Sequence, residues 1–319
     1  MAQKPIRIFS LLLMFLLVFG CSDPLDDEIA FLQTKTQQNL STLATKLDGG
    51  DIRNAMLLTQ YATVLKKQRP ELDTLLGHLE RDGTKEGTMF KGLSERVVAG
   101  ATASNFMSKE EQAEELQNLV QALDPTLFND ALSDPLNVMA DMSAGSLARV
   151  NAMSQASSQG EDFGAGSQLV GNPGYGNWVS GSGGSSFWQW YGMYAMFSNF
   201  SNPVSYDRWG RHRRYSYYND YGRYRYSSPK QRRKQTSVWN STKKSFSTGQ
   251  RYSSPYSTSR SSGGSSLSRQ SSQAKTAATR QAKSTASKSS RTKSSYSNNN
   301  NSSFRNSRSS TSRGVSRGK

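Results

Sequence analysis

Along the first half of the chain, apolar residues recur at three- and four-residue intervals, the spacing of one face of an α-helix. Leu25, Ile29, Leu32, Thr36, Leu40, Leu43 and Leu47 mark a first helical stretch that stops at Gly49-Gly50. Asp23-Pro24 stands ahead of it, a capping residue before a proline whose fixed φ suits the first helical position. Asp26, Asp27 and Glu28 then favour the positive end of the helix dipole. Asp51 opens a second helix with Ile52, Ala55, Leu58, Ala62 and Leu65 on one face. Pro70 begins a third, carrying Leu72, Leu75, Leu76 and Leu79, and Gly83 ends it. Ser108 to Glu111 reads as a capping box ahead of Leu116, Leu119, Val120 and Leu123. The cap-proline pair returns at Asp124-Pro125 and Asp134-Pro135.

Few alternating or β-branched segments compete with this pattern. The expected fold is mainly α, a small helical bundle or helical hairpin array between about residues 24 and 155. Its leucine faces predict the protein's own core in preference to a coiled-coil seam for a partner helix. The first helix is the exception. Gln33, Thr34, Lys35, Thr36, Gln37, Gln38 and Asn39 make it a weak core helix and suit a stalk beside a membrane.

After residue 160 the pattern changes. All five tryptophans fall here, as do ten of the fourteen tyrosines between Tyr175 and Tyr226, after a Gly-rich stretch from Gly164 to Gly184. Residues 187–197 are apolar nearly all round, too short to span a bilayer and in need of cover. They predict either a strap packed back on the helical half or a contact with a membrane interface or partner. The residues of that contact are Phe187, Trp188, Trp190, Tyr191, Tyr194 and Phe197. Tyr215, Tyr217, Tyr224 and Tyr226 then alternate on either side of Asn219–Gly222, a pattern that allows a β-hairpin. From Ser227 to Lys319 acidic residues are absent and aliphatic ones almost so. Such a tail cannot bury enough apolar area to offset chain entropy and is expected to be disordered. As a coil it would span roughly 50–60 Å.

Charge follows the same division. The net +16 combines 12 Lys+Arg against 22 Asp+Glu from Ser22 to Asp162 with 26 against 2 from Phe163 to Lys319. This asymmetry suggests an acidic body with a cationic arm. Guanidinium groups beside aromatic rings can hold phosphates while stacking on flat surfaces. Arg208, Arg211, Arg213, Arg214, Arg223, Arg225, Lys230, Arg232, Arg233 and Lys234 are therefore candidate polyanion-binding residues. Anionic lipid, lipopolysaccharide, acidic glycan and nucleic acid are the ligands that fit.

At the amino terminus, Lys4 and Arg7 precede an apolar run from Ile8 to Phe19 broken only by Ser10. A basic start and an apolar core of this size form a signal peptide, well short of the ~20 residues of a permanent span. The run closes as Leu17-Val18-Phe19-Gly20-Cys21. This ending resembles the lipobox of bacterial lipoproteins. The resemblance implies diacylglyceryl on the Cys21 sulfur, cleavage before it, and further acylation with fatty acid such as palmitate. Two or three acyl chains, at about 0.8 kcal/mol per buried methylene, hold a protein where one does not. Ser22 in place of Asp favours the outer over the inner membrane of a bacterial envelope. Cys21 is the sole cysteine, so no intramolecular disulfide can form.

Catalytic chemistry is not visible. His78 and His212 lie in no ligand pattern, one among leucines and one among arginines, and zinc spacing needs more than one cysteine. The Gly-rich pairs lack the remainder of a dinucleotide or phosphate-loop fingerprint. Glu110, Glu111, Glu114 and Glu115 read as a solvated helix start. No catalytic, metal or cofactor site is expected. The chain divides into a signal peptide (1–20), an acidic helical region (21–160), a Gly/aromatic and Tyr/Arg segment (161–226) and a basic tail (227–319). The expected role is non-catalytic, with polyanions held by the cationic arm; the alternative is an adaptor docking other envelope proteins through the helices.

Overall fold

The computed structural model describes residues 23–150, 160–181, 185–245 and 254–256. The expected signal segment, Cys21 and most of the expected disordered tail lie outside these residues. The chain is mainly α. Its acidic half folds into α1 (Pro24–Asp48), α2 (Arg53–Gln68), α3 (Asp73–Arg81), α4 (Thr88–Gly100), α5 (Lys109–Ala122), α6 (Pro125–Ala131) and α7 (Ser133–Met142). The caps read from sequence start three of these seven helices, whereas α2 begins after Ile52 without a side-chain cap from Asp51 and α4 carries no cap signal. Asp23 accepts the Leu25 N–H at 3.1 Å, and Asp124 accepts those of Thr126 and Leu127. Ser108 accepts the Glu111 N–H while the Glu111 carboxylate takes the Met107 N–H, closing the capping box one residue early.

The helices bury the expected leucine faces, with Leu43, Leu58, Leu65, Leu75, Leu76, Leu79, Leu116 and Leu119 in one continuous core. α1 is no separate stalk. It packs along α5 and α4 and buries Ile29, Leu32, Thr36 and Leu43. Its polar residues serve the contact: Asn39 donates to the Val120 carbonyl, and Gln117 of α5 donates to Glu28.

The aromatic segment completes this core. β1 (Gly176–Ser180) pairs antiparallel with β2 (Ser186–Trp190), placing Trp178 opposite Trp188. Gly176 permits the close approach, since a Cβ there would sit 2.3 Å from the Gln189 carbonyl oxygen. The apolar run continues as a 3₁₀ stretch, Gly192–Asn199, that packs on α3 as a strap. Trp178 is the hub of an edge-to-face cluster, 4.8 Å from Tyr206 and 5.1 Å from both Trp188 and Trp209.

Two expectations about the C-terminal half need correction. The Tyr/Arg stretch is no hairpin: after α8 (Tyr206–His212), a π turn at Tyr218–Gly222 runs into α9 (Arg223–Tyr226). The first part of the expected disordered tail is α10 (Pro229–Ser245), docked on the bundle. Ser254–Tyr256 also belongs to the fold, with Tyr256 buried and accepting from the Trp178 indole N–H at 3.4 Å.

Candidate functional site

The two oppositely charged halves meet along a seam, and the arginines read as polyanion ligands are taken up partly across it and partly within the C-terminal half. Arg213 is 3% exposed and forms a bidentate pair with Asp220, at 2.7 and 3.0 Å. It also donates twice to the Pro255 carbonyl and lies over the Trp209 ring. Arg225 is buried against Gln121 and the Tyr221 carbonyl. Arg223 donates to Gln235 and covers the Tyr256 ring at 4.6 Å. Arg208 pairs with Glu161, Arg211 with Asp207, and Arg214 with Asp162. A planar fork of five donors suits this structural use, because it saturates several buried acceptors at once.

The acidic start of α5 joins the same seam: Glu110 and Glu114 are exposed as expected, whereas Glu115 is buried and Glu111 half-buried. Glu115 is 2% exposed and accepts from Arg96 at 2.7 Å and from Arg232 at 3.3 Å. Glu114 also meets Arg232, and Glu111 meets Arg233. These contacts seat α10 on the bundle. Of the ten candidate residues, Lys230 and Lys234 are exposed with no ion-pair partner among the described residues, and Lys243 and Lys244 of the same helix join them.

Two buried acids also cross the seam. Asp134 is not a cap for its own helix, since Leu132 before it is already helical. Its carboxylate instead accepts the backbone N–H groups of Tyr217 (2.7 Å) and Tyr218 (2.9 Å), capping the π turn of the other half. Burial pushes this carboxyl up to about 7, against the lowering effect of those two N–H groups. Asp82 follows α3 and accepts from the Tyr175 hydroxyl at 2.9 Å, the Tyr194 hydroxyl at 3.3 Å and the Thr88 N–H at 3.3 Å. Burial raises it to about 7 as well. His78 lies edge-on to Tyr194, and its pKa is lowered by burial and by Arg81. His212 is exposed.

Of the six aromatic contact candidates, Trp188, Trp190, Tyr194 and Phe197 are interior and Phe187 is half-buried. Their indole and phenol rings fill the core beside α3. Tyr191 alone is exposed, and it stands at the rim of a groove of about 520 Å³ between α4, the loop Asn172–Tyr175 and the start of α10. Glu95, Arg96, Gly92 and Gln231 also line it. A second depression of about 540 Å³ lies between Asp162–Gly164 and Ser198–Pro203, beside Arg208.

Among the described residues, no cluster of His, Cys, Asp or Glu is placed to hold a metal ion. No helix there is long and apolar enough to cross a membrane. The seam acids and the groove were missed in sequence. The visible signals were Asp82 ahead of Gly83, an Asp-Pro pair open to more than one use at 134–135, and a glycine at 92 inside a helical run. Comparison with family models, curated proteins and solved structures finds no match to this chain.

Proposed function

We propose that the protein is a non-catalytic lipoprotein of the bacterial envelope, anchored through lipid on Cys21 to the outer membrane, with a cationic C-terminal arm that binds polyanions. What carries this reading is an uncompensated charge. The arginines up to Arg233 meet acidic or polar partners of the fold, whereas Lys230, Lys234, Lys243 and Lys244 face outward without one among the described residues. They head a stretch, Ser227 to Lys319, that carries 20 Lys+Arg and no Asp or Glu. The arm therefore begins on a folded platform, α10, and not at the end of the aromatic segment. Binding to phosphorylated headgroups, lipopolysaccharide, acidic glycan or nucleic acid would be electrostatic and would weaken steeply with salt. The anchor is supported by the apolar run that ends at the sole cysteine.

One experiment covers both parts. Wild type, Cys21→Ala, a truncation of residues 257–319 that keeps Tyr256 in the core, and a quadruple Lys→Gln variant of α10 are labelled with palmitate and tested on immobilised lipopolysaccharide. Cys21→Ala should lose the label and keep polyanion binding. The truncation should lose most binding, and the quadruple variant should weaken it by up to ~1,000-fold at low salt, taking about 1 kcal/mol for each of the four surface lysines. Label retained by Cys21→Ala removes the anchor; binding retained by both basic variants removes the arm.

A further inference from the structure

We propose that the groove between α4 and the Asn172–Tyr175 loop binds a short uncharged oligosaccharide. Its charge argues against the polyanions assigned to the arm. Glu86 and Glu95 oppose Lys91 and Arg96 along its walls, two charges of each sign. The net field over the groove is therefore small, and a charged ligand gains little there.

The groove instead presents a flat apolar surface beside uncommitted amide donors. Tyr191 is 46% exposed, yet its backbone is held: its N–H donates to the Tyr175 carbonyl at 2.9 Å, and Trp190 before it is buried. A tyrosine whose backbone is held in this way presents its exposed ring at the groove, a face for the C–H surface of a pyranose. Asn172 is 7% exposed, and its Oδ1 accepts the Gly174 N–H at 3.0 Å. That bond fixes the sense of the amide, so the Nδ2 donors are the free end, with no partner among the described residues. Gln231 is held likewise by the Ser228 N–H on its Oε1 at 2.8 Å, leaving Nε2 free. Hydroxyl and acetamido oxygens of a sugar accept from such groups, and its hydroxyls can donate to Glu95.

The floor points the same way. Gly92 lies inside α4, where glycine costs about 1 kcal/mol relative to alanine. A Cβ at this position would meet nothing within 4 Å, so no packing contact of the protein requires the glycine. The space above it is open groove. A volume of about 520 Å³ falls within the ~300–1,000 Å³ of small-ligand sites and suits about two or three sugar rings. None of the lining residues belongs to β1 or β2, so an extended peptide has no strand edge to join. The proposal needs neither the lipid on Cys21 nor the lysines of α10.

The test is calorimetric titration of the full mature chain with chitotriose, maltotriose and tri-galacturonate, repeated on Tyr191→Ala and Gly92→Leu. Leucine is a better helix former than glycine and would project into the groove, so Gly92→Leu blocks the site without unfolding α4. Saturable binding of an uncharged trisaccharide is expected, weakened at least about tenfold by either variant, the scale of losing one well-placed aromatic contact. No heat from chitotriose or maltotriose at ~10 mM, weaker than any useful recognition, overturns the site. Binding that both variants leave unchanged overturns it too. Tighter binding of tri-galacturonate than of either neutral sugar overturns the uncharged class.

Discussion

Asp82→Asn should flatten a pH dependence that the wild-type fold carries. The carboxyl sits fully buried between α3 and the aromatic segment, and burial raises it from 3.8 to about 7. In the unfolded chain it ionises near its ordinary value, so between about pH 4 and pH 7 unfolding releases a proton. The stabilisation from this group is then fully present below the unfolded pKa and is lost as pH rises through about 7. A shift of roughly three units corresponds to a change on the order of 4 kcal/mol across that window. Asparagine is neutral at every pH and of the same shape. Its Oδ1 can keep the Thr88 N–H, and its Nδ2 can donate to the Tyr175 hydroxyl as the protonated acid would. Urea denaturation of both proteins from pH 4 to pH 8 gives the difference curve, from which other titrating groups cancel. The variant should match wild type near pH 4 and exceed it by a few kcal/mol at pH 8. Parallel curves, or a variant less stable at pH 8, would refute the assignment of Asp82 as an acid held neutral by burial.

Two further outcomes follow from the packing of the C-terminal half. Arg213→Ala strands the Asp220 carboxylate and the Pro255 carbonyl in the interior, and should cost about 3–5 kcal/mol in chemical denaturation, with no rescue by Arg213→Lys, whose ammonium cannot span both acceptors. Trp209→Ala removes a buried ring packed on the Trp178 hub and should cost about 3–5 kcal/mol, read as a lower urea midpoint and loss of near-ultraviolet circular dichroism.

The helices of the acidic half were legible because their signals are local. A cap such as Asp23, Ser108 or Asp124 lies within three residues of the N–H it accepts, and a leucine stripe repeats inside one element. The same reasoning assigned Asp134 to its own helix, where Pro135 made the motif complete. Its acceptors were in fact taken by Tyr217 and Tyr218, more than eighty residues on. That distant cap also explains why alternating tyrosines form a helical turn and not a hairpin. Glu115 shows the converse: a residue of an acidic helix start is solvated by default, and is buried here because Arg96 and Arg232 arrive from two other elements.

The sequence by itself therefore determined the helical class, the leucine core, the capped starts of α1, α5 and α6, the division into acidic and basic halves, and the apolar run ending at Cys21. Each depends on neighbours in the chain or on composition. Tertiary structure alone decided that the halves fold onto each other, that the candidate arginines are taken up by acids, amides and carbonyls of the fold, and that α10 and Tyr256 belong to the body. It also brought Asn172, Tyr191, Gly92 and Gln231 to one groove. Ion pairs and clefts are made by groups far apart in sequence, so their partners become defined only when packing brings the segments together.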